Sequence, residues 1–358
     1  MQKESLEFLK QLITTPSPSG FENRGTKVWL DYVKTFADKT YTDSYGNAFA
    51  ILNPSGDPKV FLAGHSDEIG MMVNYIDDRG FVYSKAIGGV DFTVSRAKRV
   101  TIHTAKGGVR GVLGATAIHL WFKTSGEPKT PKLHEQFIDI GTKNKKETEK
   151  LVQVGDPITY VDDFELLREE KAVGRAFDNR VGTFTAAETL RLCASNKKSL
   201  KACLVAVSAV QEEITQGGAR IAAQHINPDV AVVVDVTHAT DSPGIDPKEF
   251  GDVKLGSGPA ITYGSVNHPG VVKRFEAVAK KKKIPVQREA NGSRTSTDAD
   301  VVFNVHSGVP TVTLGLPNRY MHTPVEMIHL KDLTQLCDLT AGFVLDLKAK
   351  ERFKIAIS

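Results

Sequence analysis

Apolar residues recur at helical spacing near both ends of the chain. Close to the N-terminus they are interspersed with charged residues, a pattern typical of an amphipathic surface helix, and they are Leu6, Phe8, Leu9 and Leu12. The prolines and glycine of residues 14–20 cannot continue a helix, so a second helix is predicted to begin near Phe21. A last helix is predicted by the spacing of Leu333, Leu336, Thr340, Phe343, Val344 and Leu347.

The second half of the chain alternates between helical and strand patterns. One helical face carries Val181, Phe184, Ala187 and Leu190. Short apolar runs typical of buried strands occupy residues 59–64, 202–210, 231–234 and 309–314. Helices that alternate with apolar strands predict an α/β fold, with a mixed, mostly parallel sheet covered by helices.

Residues between about 70 and 165 follow a different pattern. Polar and apolar residues alternate over residues 99–103, glycines mark a turn at residues 106–108, and a second strand pattern covers residues 109–113. Helical spacing is nearly absent from this part of the chain. We therefore expect two domains, a discontinuous α/β domain of residues 1–69 and 166–358 and an inserted β-rich domain of residues 70–165.

The composition and charge exclude several classes of protein. Among 358 residues, 46 Lys and Arg against 42 Asp and Glu leave a net charge of +4, too close to neutrality to supply a nucleic-acid-binding surface. No apolar run approaches the roughly 18 to 20 residues of a membrane span, and the N-terminus lacks the apolar core of an export signal. We therefore expect a cytoplasmic protein with no nucleic-acid or membrane partner.

The cysteines lie in apolar stretches, which predicts buried free thiols at Cys193, Cys203 and Cys337.

Side chains that can bind metal occur close to the ends of the predicted strands, where ligands bind in open α/β sheets. In chain order they are His65, Asp67, Asp178, Glu212, Glu213, Asp235 and His322. Asp235, for example, closes the strand predicted at residues 231–234, and Asp178 opens the helix that precedes a central strand. We expect these side chains to converge on one edge of the sheet.

Taken singly, each of these residues has an ordinary structural role. Asp178 is well placed to cap a helix, a histidine at a strand end such as His65 is usually hydrogen bonded within the fold, and adjacent acids such as Glu212 and Glu213 are usually solvated. The group is harder to explain in this way, because carboxylates that share a small region raise each other's pKa unless a cation compensates. A pair of divalent metal ions would remove that cost.

Two other functional motifs fit poorly. Residues 64–68 (GHSDE) resemble the nucleophile elbow of a serine hydrolase, but Glu68 stands where the strained turn needs a glycine. The glycines of residues 256–258 are followed by Pro259, which blocks the helix start of a dinucleotide-binding motif. A loop is expected there instead.

The candidate residues and the segments around them resemble the dinuclear-metal aminopeptidases of the TET type, the family that includes glutamyl and deblocking aminopeptidases. The resemblance covers nearly the whole chain, and the matching segments occur in the same order. They are residues 16–22 (PSPSGFE), 65–70 (HSDEIG), 87–89 (IGG), 174–180 (GRAFDNR), 211–213 (QEE), 235–238 (DVTH), 297–299 (TDA) and 319–324 (RYMHTP).

The resemblance implies a zinc-peptidase-like catalytic domain with two divalent metal ions per subunit. His65, Asp178 and Asp235 are then the ligands of one metal. Asp178 bridges to the second metal, which Glu213 and His322 also hold. Histidine and carboxylate ligands without a thiolate suit zinc, and they also suit cobalt or manganese.

Two more residues complete the implied site. Asp67 is the carboxylate that orients His65, and Glu212 is the general base. A water that bridges the two metals would attack the scissile carbonyl, and Glu212 would take its proton and return it to the leaving amine. The resemblance therefore implies a metal-dependent aminopeptidase that removes N-terminal residues from peptides.

The resemblance also implies an assembly of several subunits. In the family the insert, here residues 70–165, is a dimerisation domain, and dimers commonly build a hollow tetrahedral dodecamer.

The sequence also departs from the family pattern in places. Asn179 stands where many relatives carry a second Asp, and residues 211–218 (QEEITQGG) depart from the family pattern after the two glutamates. Residues 117–119 differ from the proline-rich version of the insert.

Three other functions remain open. Some relatives have been labelled endoglucanases, but a glycoside hydrolase would need an aromatic platform, and both tryptophans, Trp29 and Trp121, lie away from the strand ends. A non-catalytic assembly protein would not need Glu212 beside a full ligand set. A metal-dependent deacylase of amino-acid derivatives differs from an aminopeptidase in its substrate.

Charged residues near the motifs leave the preferred N-terminal residue of the substrate open. Arg294 and Arg319 would neutralise an acidic side chain, whereas Asp300 or Glu326 would favour a basic one. The two adjacent glutamates at residues 212 and 213 are expected on an extended segment, where consecutive side chains point to opposite sides, so they should have different roles.

Overall fold

The chain forms two compact units in the computed structural model, which describes residues 1–120, 131–168, 170–355 and 357. Trp121 lies outside the described residues. The first unit comprises Met1–Asp67, Asp163–Met321 and Val325–Ser358. The second unit comprises Glu68–Asp162 and His322–Pro324.

The described strands are β1 (Lys39–Thr42), β2 (Ala48–Leu52), β3 (Lys59–His65), β4 (Gly70–Ile76), β5 (Val82–Ile87), β6 (Arg99–Thr104), β7 (Gly107–Leu113), β8 (Ile138–Asp139), β9 (Pro157–Tyr160), β10 (Glu165–Leu166), β11 (Lys171–Gly174), β12 (Cys203–Ala209), β13 (Val230–His238), β14 (Ala260–Gly264), β15 (Gln287–Asn291), β16 (Thr311–Asn318) and β17 (Glu326–His329). The described α-helices are α1 (Lys3–Thr14), α2 (Asn23–Val33), α3 (Lys145–Thr148), α4 (Phe177–Ala194), α5 (Glu212–Thr215), α6 (Gly217–Ile226), α7 (Pro247–Phe250), α8 (Pro269–Lys282), α9 (Ala299–Val302) and α10 (Leu330–Asp346).

A large mixed sheet with the strand order β1-β2-β12-β3-β13-β16-β14-β15 forms the centre of the first unit. Its four middle strands, β12, β3, β13 and β16, run parallel, so their carboxyl ends lie at one edge. A small antiparallel sheet, β10-β11-β17, lies in the same unit. The predicted fold class, a mostly parallel sheet covered by helices, is confirmed.

Both faces of the large sheet are buried, which explains the continuous apolar runs of its middle strands. In β13 the side chains of Val230, Val232 and Val234 face the larger core, to which α1, α2, α4, α8 and α10 contribute. The alternate residues Ala231 and Val233 face a smaller core with α6 and α9. The helical face predicted around Val181 and the last helix are confirmed, because their apolar side chains belong to the larger core.

The second unit contains a closed antiparallel barrel with the strand order β4-β5-β8-β7-β6-β9. Inward-facing residues alternate along its strands, as Met71 and Val73 do in β4 and Val100 and Ile102 in β6. The β-rich character predicted for this part of the chain is therefore confirmed.

Helix α2 begins at Asn23, with Glu22 at the N-cap position, close to the start expected near Phe21. One expectation on element bounds was wrong. Strand β13 continues to His238, so Asp235 lies inside a strand instead of at its end. The reason is that β13 pairs with β3 only as far as Val233, whereas it pairs with β16 as far as His238. The strand thus extends past the edge of β3.

The predicted state of the cysteines is confirmed, because Cys193, Cys203 and Cys337 are free and buried. Among the helices that the structure describes, none is both long and apolar enough to span a lipid bilayer.

Candidate metal centre

His65 ends β3 and is 1% exposed. Its Nδ1 lies 3.3 Å from Oδ1 of Asp67 and 3.2 Å from the carbonyl oxygen of that residue. Its Nε2 faces three carboxylates, Asp178 at 3.3 Å, Glu212 at 3.7 Å and Asp235 at 3.9 Å. One ring nitrogen held by a carboxylate and the other turned toward further ligands is the usual arrangement of a metal-binding histidine.

Asp235 reaches this point because β13 runs parallel to β3. The two strands pair in parallel from Val230 with Val60 to Val233 with Ala63, and continuing that register places Asp235 level with His65. The site therefore lies at the carboxyl edge of β3 although Asp235 is within its own strand. The sequence analysis predicted this edge of the sheet for Asp235 on the assumption that its strand ends there, whereas β13 continues to His238.

Asp178 does not cap a helix, contrary to the ordinary role considered for it. Its backbone dihedral angles (φ −76°, ψ 109°) are not helical, and neither are those of Asn179 (φ −121°, ψ 46°), so the regular part of α4 begins only after Asn179. The Asp178 N–H donates to Oε2 of Glu326 at 2.9 Å. The Asp178 carboxylate lies against Nε2 of His65.

Asn179 links the start of α4 to β13. Its side-chain amide donates to the carbonyl oxygen of Val234 at 2.8 Å, and its Oδ1 accepts the N–H of Gly182 at 2.9 Å. The residue is buried, and an aspartate could not donate the first of these bonds. This bond joins the residue that follows Asp178 to the residue that precedes Asp235, and both aspartates are candidate ligands.

The sequence predicted that Glu212 and Glu213 lie on an extended segment, and this was wrong. Both residues lie in the first turn of α5. Gln211 adopts a left-handed conformation (φ +59°) and redirects the chain after β12. Successive side chains on a helix diverge by about 100° instead of 180°. The two carboxylates still point in different directions, so distinct roles remain consistent with the structure.

The carboxylate of Asp67 caps the turn that carries the two glutamates. Oδ1 accepts the N–H of Glu212 at 3.0 Å, and Oδ2 accepts the N–H of Glu213 at 3.1 Å. The Ser19 hydroxyl donates to Oδ2 at 2.6 Å. Burial alone would raise the pKa of Asp67, but its contact with His65 and these hydrogen bonds lower it.

Three residues can offer ligand atoms to one ion. His65, Asp178 and Asp235 each present one nitrogen or oxygen, these atoms lie within 4.8 Å of one another, and all three residues are buried. An oxygen of Glu213 lies within the same distance of an oxygen of Asp178. Asp178 can thus contribute to two ligand groups.

His322 belongs to the second unit. There its Nδ1 lies 2.9 Å from the carbonyl oxygen of Gly89. A Cβ atom at Gly89 would lie 3.0 Å from the same nitrogen, which gives the glycine of the IGG segment a steric reason. The assignment of His322 as a metal ligand stays a prediction.

The electrostatics of the cluster in the first unit favour a bound cation. Burial raises the pKa of Asp235 well above its usual range; the charge of His65 opposes this, and the carboxylates of Asp178 and Glu212 add to it. Burial opposes protonation of His65, but its contacts with Asp178 and Asp67 outweigh this and raise the pKa of the ring. Imidazole nitrogen and carboxylate oxygen are donors that bind Zn²⁺, so the residues present fit a divalent ion.

Asp298 adds a buried carboxylate to which the sequence analysis gave no role. The residue is 1% exposed, and neither carboxylate oxygen has a hydrogen-bond partner among the described residues. Burial raises the pKa of Asp298 well above its usual range, and the charge of Glu212 adds to this. Its place in the segment TDA was the only signal in the sequence.

Arg180 is a second supporting residue that sequence reasoning missed. Its side chain is fully buried and donates to the carbonyl oxygens of Ser66 at 2.9 Å and Thr15 at 2.8 Å. A guanidinium supplies five donors in a fixed plane, so one side chain can hold several backbone segments. It ties the turn after His65 to the loop after α1.

Three of the four charged residues that were considered for substrate selection are held within the fold. Arg319 makes a two-pronged ion pair with Asp241, with contacts of 2.8 and 2.7 Å. Glu326 binds the backbone of Asp178, as described above. The remaining two pair with each other, because Nε of Arg294 lies 3.3 Å from Asp300. Asp300 is buried, whereas 77% of the Arg294 side chain is exposed, so Arg294 is the most exposed of the four.

Comparison with known proteins gives consistent matches over nearly the whole chain. Residues 46–339 match the model of the family described as M42 glutamyl aminopeptidase. A lysyl aminopeptidase of Pyrococcus furiosus is 32% identical over 96% of this chain and 97% of its own. The crystal structure of a TET aminopeptidase from the marine sediment archaeon Thaumarchaeota archaeon SCGC AB-539-E09 matches with a TM-score of 0.89 and 30% identity, over 96% of each chain. The TET1 peptidase of Pyrococcus horikoshii, which can assemble into a tetrahedron or a large octahedral shell, matches with a TM-score of 0.85 and 29% identity, over 96% of this chain and 100% of its own.

Proposed function

The chain belongs to the M42 glutamyl aminopeptidase family and is a metal-dependent aminopeptidase, and from this premise we propose how its own residues bind metal and cleave peptides. His65, Asp178 and Asp235 hold one divalent ion. Asp178, Glu213 and His322 hold a second, with zinc in both positions and cobalt or manganese as alternatives. The observation that carries this proposal is the ring of three carboxylates around Nε2 of His65, of which Asp178 and Asp235 are buried and Glu212 is partly buried.

Divalent ions bound by these residues supply Lewis acidity, which lowers the pKa of water and polarises the scissile carbonyl. The role of the protein side chains is then to place and move a proton. Glu212 accepts the proton of the attacking water and returns it to the leaving amine. Burial raises the pKa of Glu212, which makes its carboxylate a stronger base.

Asp67 is the residue that orients the histidine ligand. It contacts Nδ1 of His65 and accepts the backbone N–H groups of Glu212 and Glu213. A single carboxylate therefore contacts both the histidine ligand and the backbone of the general base. Outer carboxylates of this kind fix the ring orientation of a metal-binding histidine and raise its basicity.

The substrates are peptides with a free N-terminus, and the protein acts as a homo-oligomer. The TET1 peptidase of Pyrococcus horikoshii supports a tetrahedral assembly, for which we propose a dodecamer built from dimers. Residues 70–165 make the dimer contact. Large apolar side chains exposed within the second unit support this, and they include Tyr75, Val112, Ile118, Leu120, Leu151 and Val154. The cytoplasmic location expected from the sequence stays a prediction.

The proposal is tested with one panel of substrates and one metal analysis on the same sample. Aminoacyl reporters and short peptides should be cleaved, their N-acetylated counterparts should be far poorer substrates, and a chelator should abolish cleavage until zinc, cobalt or manganese is restored. Preferred hydrolysis of acylated amino acids would indicate the deacylase instead. Chelator-resistant cleavage of cello-oligosaccharides would indicate a glycoside hydrolase, and no hydrolysis at all would indicate an assembly protein.

A further inference from the structure

Gln216 contacts the general base directly. Its Nε2 lies 3.3 Å from Oε1 of Glu212 and is the sole hydrogen-bond donor to that carboxylate within the part of the chain that the structure describes. Gln216 follows directly after the last residue of α5, four positions after Glu212. Their backbones are joined as well, because the N–H of Gln216 donates to the carbonyl oxygen of Glu212 at 3.0 Å.

The surroundings of Gln216 determine which way its amide points. Nε2 also donates to the carbonyl oxygen of Thr297 at 2.7 Å, and Oε1 accepts from the guanidinium of Arg294 at 3.3 Å. A carbonyl can only accept and a guanidinium can only donate. Rotating the amide by 180° would place its oxygen against the Thr297 carbonyl and the Glu212 carboxylate and its NH₂ against Arg294. The amide therefore presents its NH₂ group to Glu212.

The group that holds Gln216 is itself anchored. Arg294 contacts Asp300 at 3.3 Å, and Asp300 accepts the backbone N–H groups of Thr295 and Ser296, each at 2.9 Å. Asp300 is also buried. A connected series of polar contacts thus runs from a buried carboxylate through a guanidinium and an amide to the general base.

We infer that Gln216 is a positioning residue, whose side-chain amide holds the Glu212 carboxylate in the orientation from which it accepts the proton of the attacking water. A free glutamate side chain samples several rotamers, and a bond from a rigid donor selects one of them. Gln216 lies in residues 211–218, the segment that departs from the family pattern after the two glutamates. The inference rests on the proposed role of Glu212 as the base.

Three variants separate positioning from folding. Gln216→Met keeps the length of the side chain and removes the donor. Gln216→Asn keeps an amide and tolerates the left-handed backbone of this residue (φ +55°), but it is one methylene too short to reach Glu212. Gln224→Met is the matched control, because Gln224 is exposed on the helix that follows.

In the metal-loaded enzyme, Gln216→Met and Gln216→Asn should each lower kcat by about 10- to 100-fold, the range that corresponds to losing one hydrogen bond to a charged group. The KM and the metal content should stay within about twofold of wild type, because neither substrate binding nor the ligands are changed. Gln224→Met should leave kcat unchanged.

A double-mutant cycle gives the readout that a merely structural role would not produce. In the Glu212→Gln background, Gln216→Met should cause no further loss of kcat, since its effect passes through the missing carboxylate. An equal loss in both backgrounds, or near-normal kcat in both Gln216 variants, would overturn the inference and leave the aminopeptidase function standing. A wild-type enzyme that carries metal and cleaves no free peptide would overturn both.

Discussion

The carboxylate of Asp67 and the backbone of Glu212 are joined by a hydrogen bond of 3.0 Å. The same carboxylate lies 3.3 Å from Nδ1 of His65 and accepts from Glu213 and Ser19. The proposed ligand at the end of β3 and the proposed base in the first turn of α5 are thus both in contact with one buried side chain. Displacing that side chain should disturb metal binding and proton transfer together.

Asp67→Asn should lower metal affinity and kcat/KM by about 10- to 100-fold, the range found when an outer carboxylate of a metal site is removed. Asparagine has one acceptor oxygen in place of two. Its NH₂ group would therefore face N–H or O–H donors that a carboxylate oxygen of Asp67 accepts in the wild type. The free energy of unfolding should therefore fall by about 1–3 kcal/mol. Metal titration and urea unfolding measure both effects.

Ser19→Ala provides the control for this variant. It removes a single donor to Asp67 and leaves the carboxylate in place, so metal affinity should stay near that of wild type and stability should fall by about 0.5–1.5 kcal/mol. Wild-type metal affinity in Asp67→Asn would show that this carboxylate does not orient His65.

Strand ends could be used to predict the position of the site because apolar runs locate buried parallel strands, and parallel strands bring their carboxyl ends to one edge. The prediction was inaccurate where a strand does not stop with its neighbours. β13 continues beside β16 after its pairing with β3 ends, and no local pattern around Asp235 reports which partner a strand keeps.

Other features of the site depend on contacts between residues far apart in the chain. The left-handed conformation of Gln211 is followed by a helix, whereas an extended segment was expected there. Asp298 is revealed only by its burial without a hydrogen-bond partner among the described residues, and Gln216 only by its contacts with Glu212 and Thr297. Periodicity reports burial and local geometry, and it does not report which side chains meet.

The two adjacent glutamates should respond differently to the same substitution. Glu213→Gln should lower metal occupancy, because a neutral amide binds a divalent cation more weakly than a carboxylate does. Glu212→Gln should keep the metal content of wild type while kcat falls by about 10² to 10⁴, with little change in KM. Metal analysis beside kinetics on both variants tests this, and near-normal turnover in Glu212→Gln would refute the role of Glu212 as the base.

Residues 70–165 should be required for assembly. Replacing them with a short flexible linker removes the barrel strands and its exposed apolar residues, such as Val112 and Val154, so the particles should be smaller than those of the full chain in light scattering. Charged substitutions at those two residues in the full chain test the same contact without removing the barrel. An unchanged particle mass in all of these variants would place the main subunit contact elsewhere.

Glu22 should make stability depend on pH. The residue is 5% exposed, and its Oε1 accepts the N–H groups of Gly20 at 2.8 Å and Gln211 at 3.1 Å. Burial, together with the charge of Asp67, raises the pKa of Glu22 from 4.5 to about 7. Between those values the folded protein binds a proton that the unfolded chain has released, so the stabilising contribution is complete below pH 4.5 and is lost as the pH rises to about 7.

Glu22→Gln isolates this effect, because glutamine has the same shape, keeps a carbonyl oxygen for the two N–H donors, and does not titrate. Relative to the variant, the wild type should lose up to about 3 kcal/mol of unfolding free energy between pH 4.5 and 7 and no more at higher pH. Urea unfolding of chelator-treated protein at several pH values measures the difference without a contribution from metal binding. A difference that is the same at pH 5 and pH 8 would mean that Glu22 is ionised throughout and that its contacts with Gly20 and Gln211 outweigh its burial.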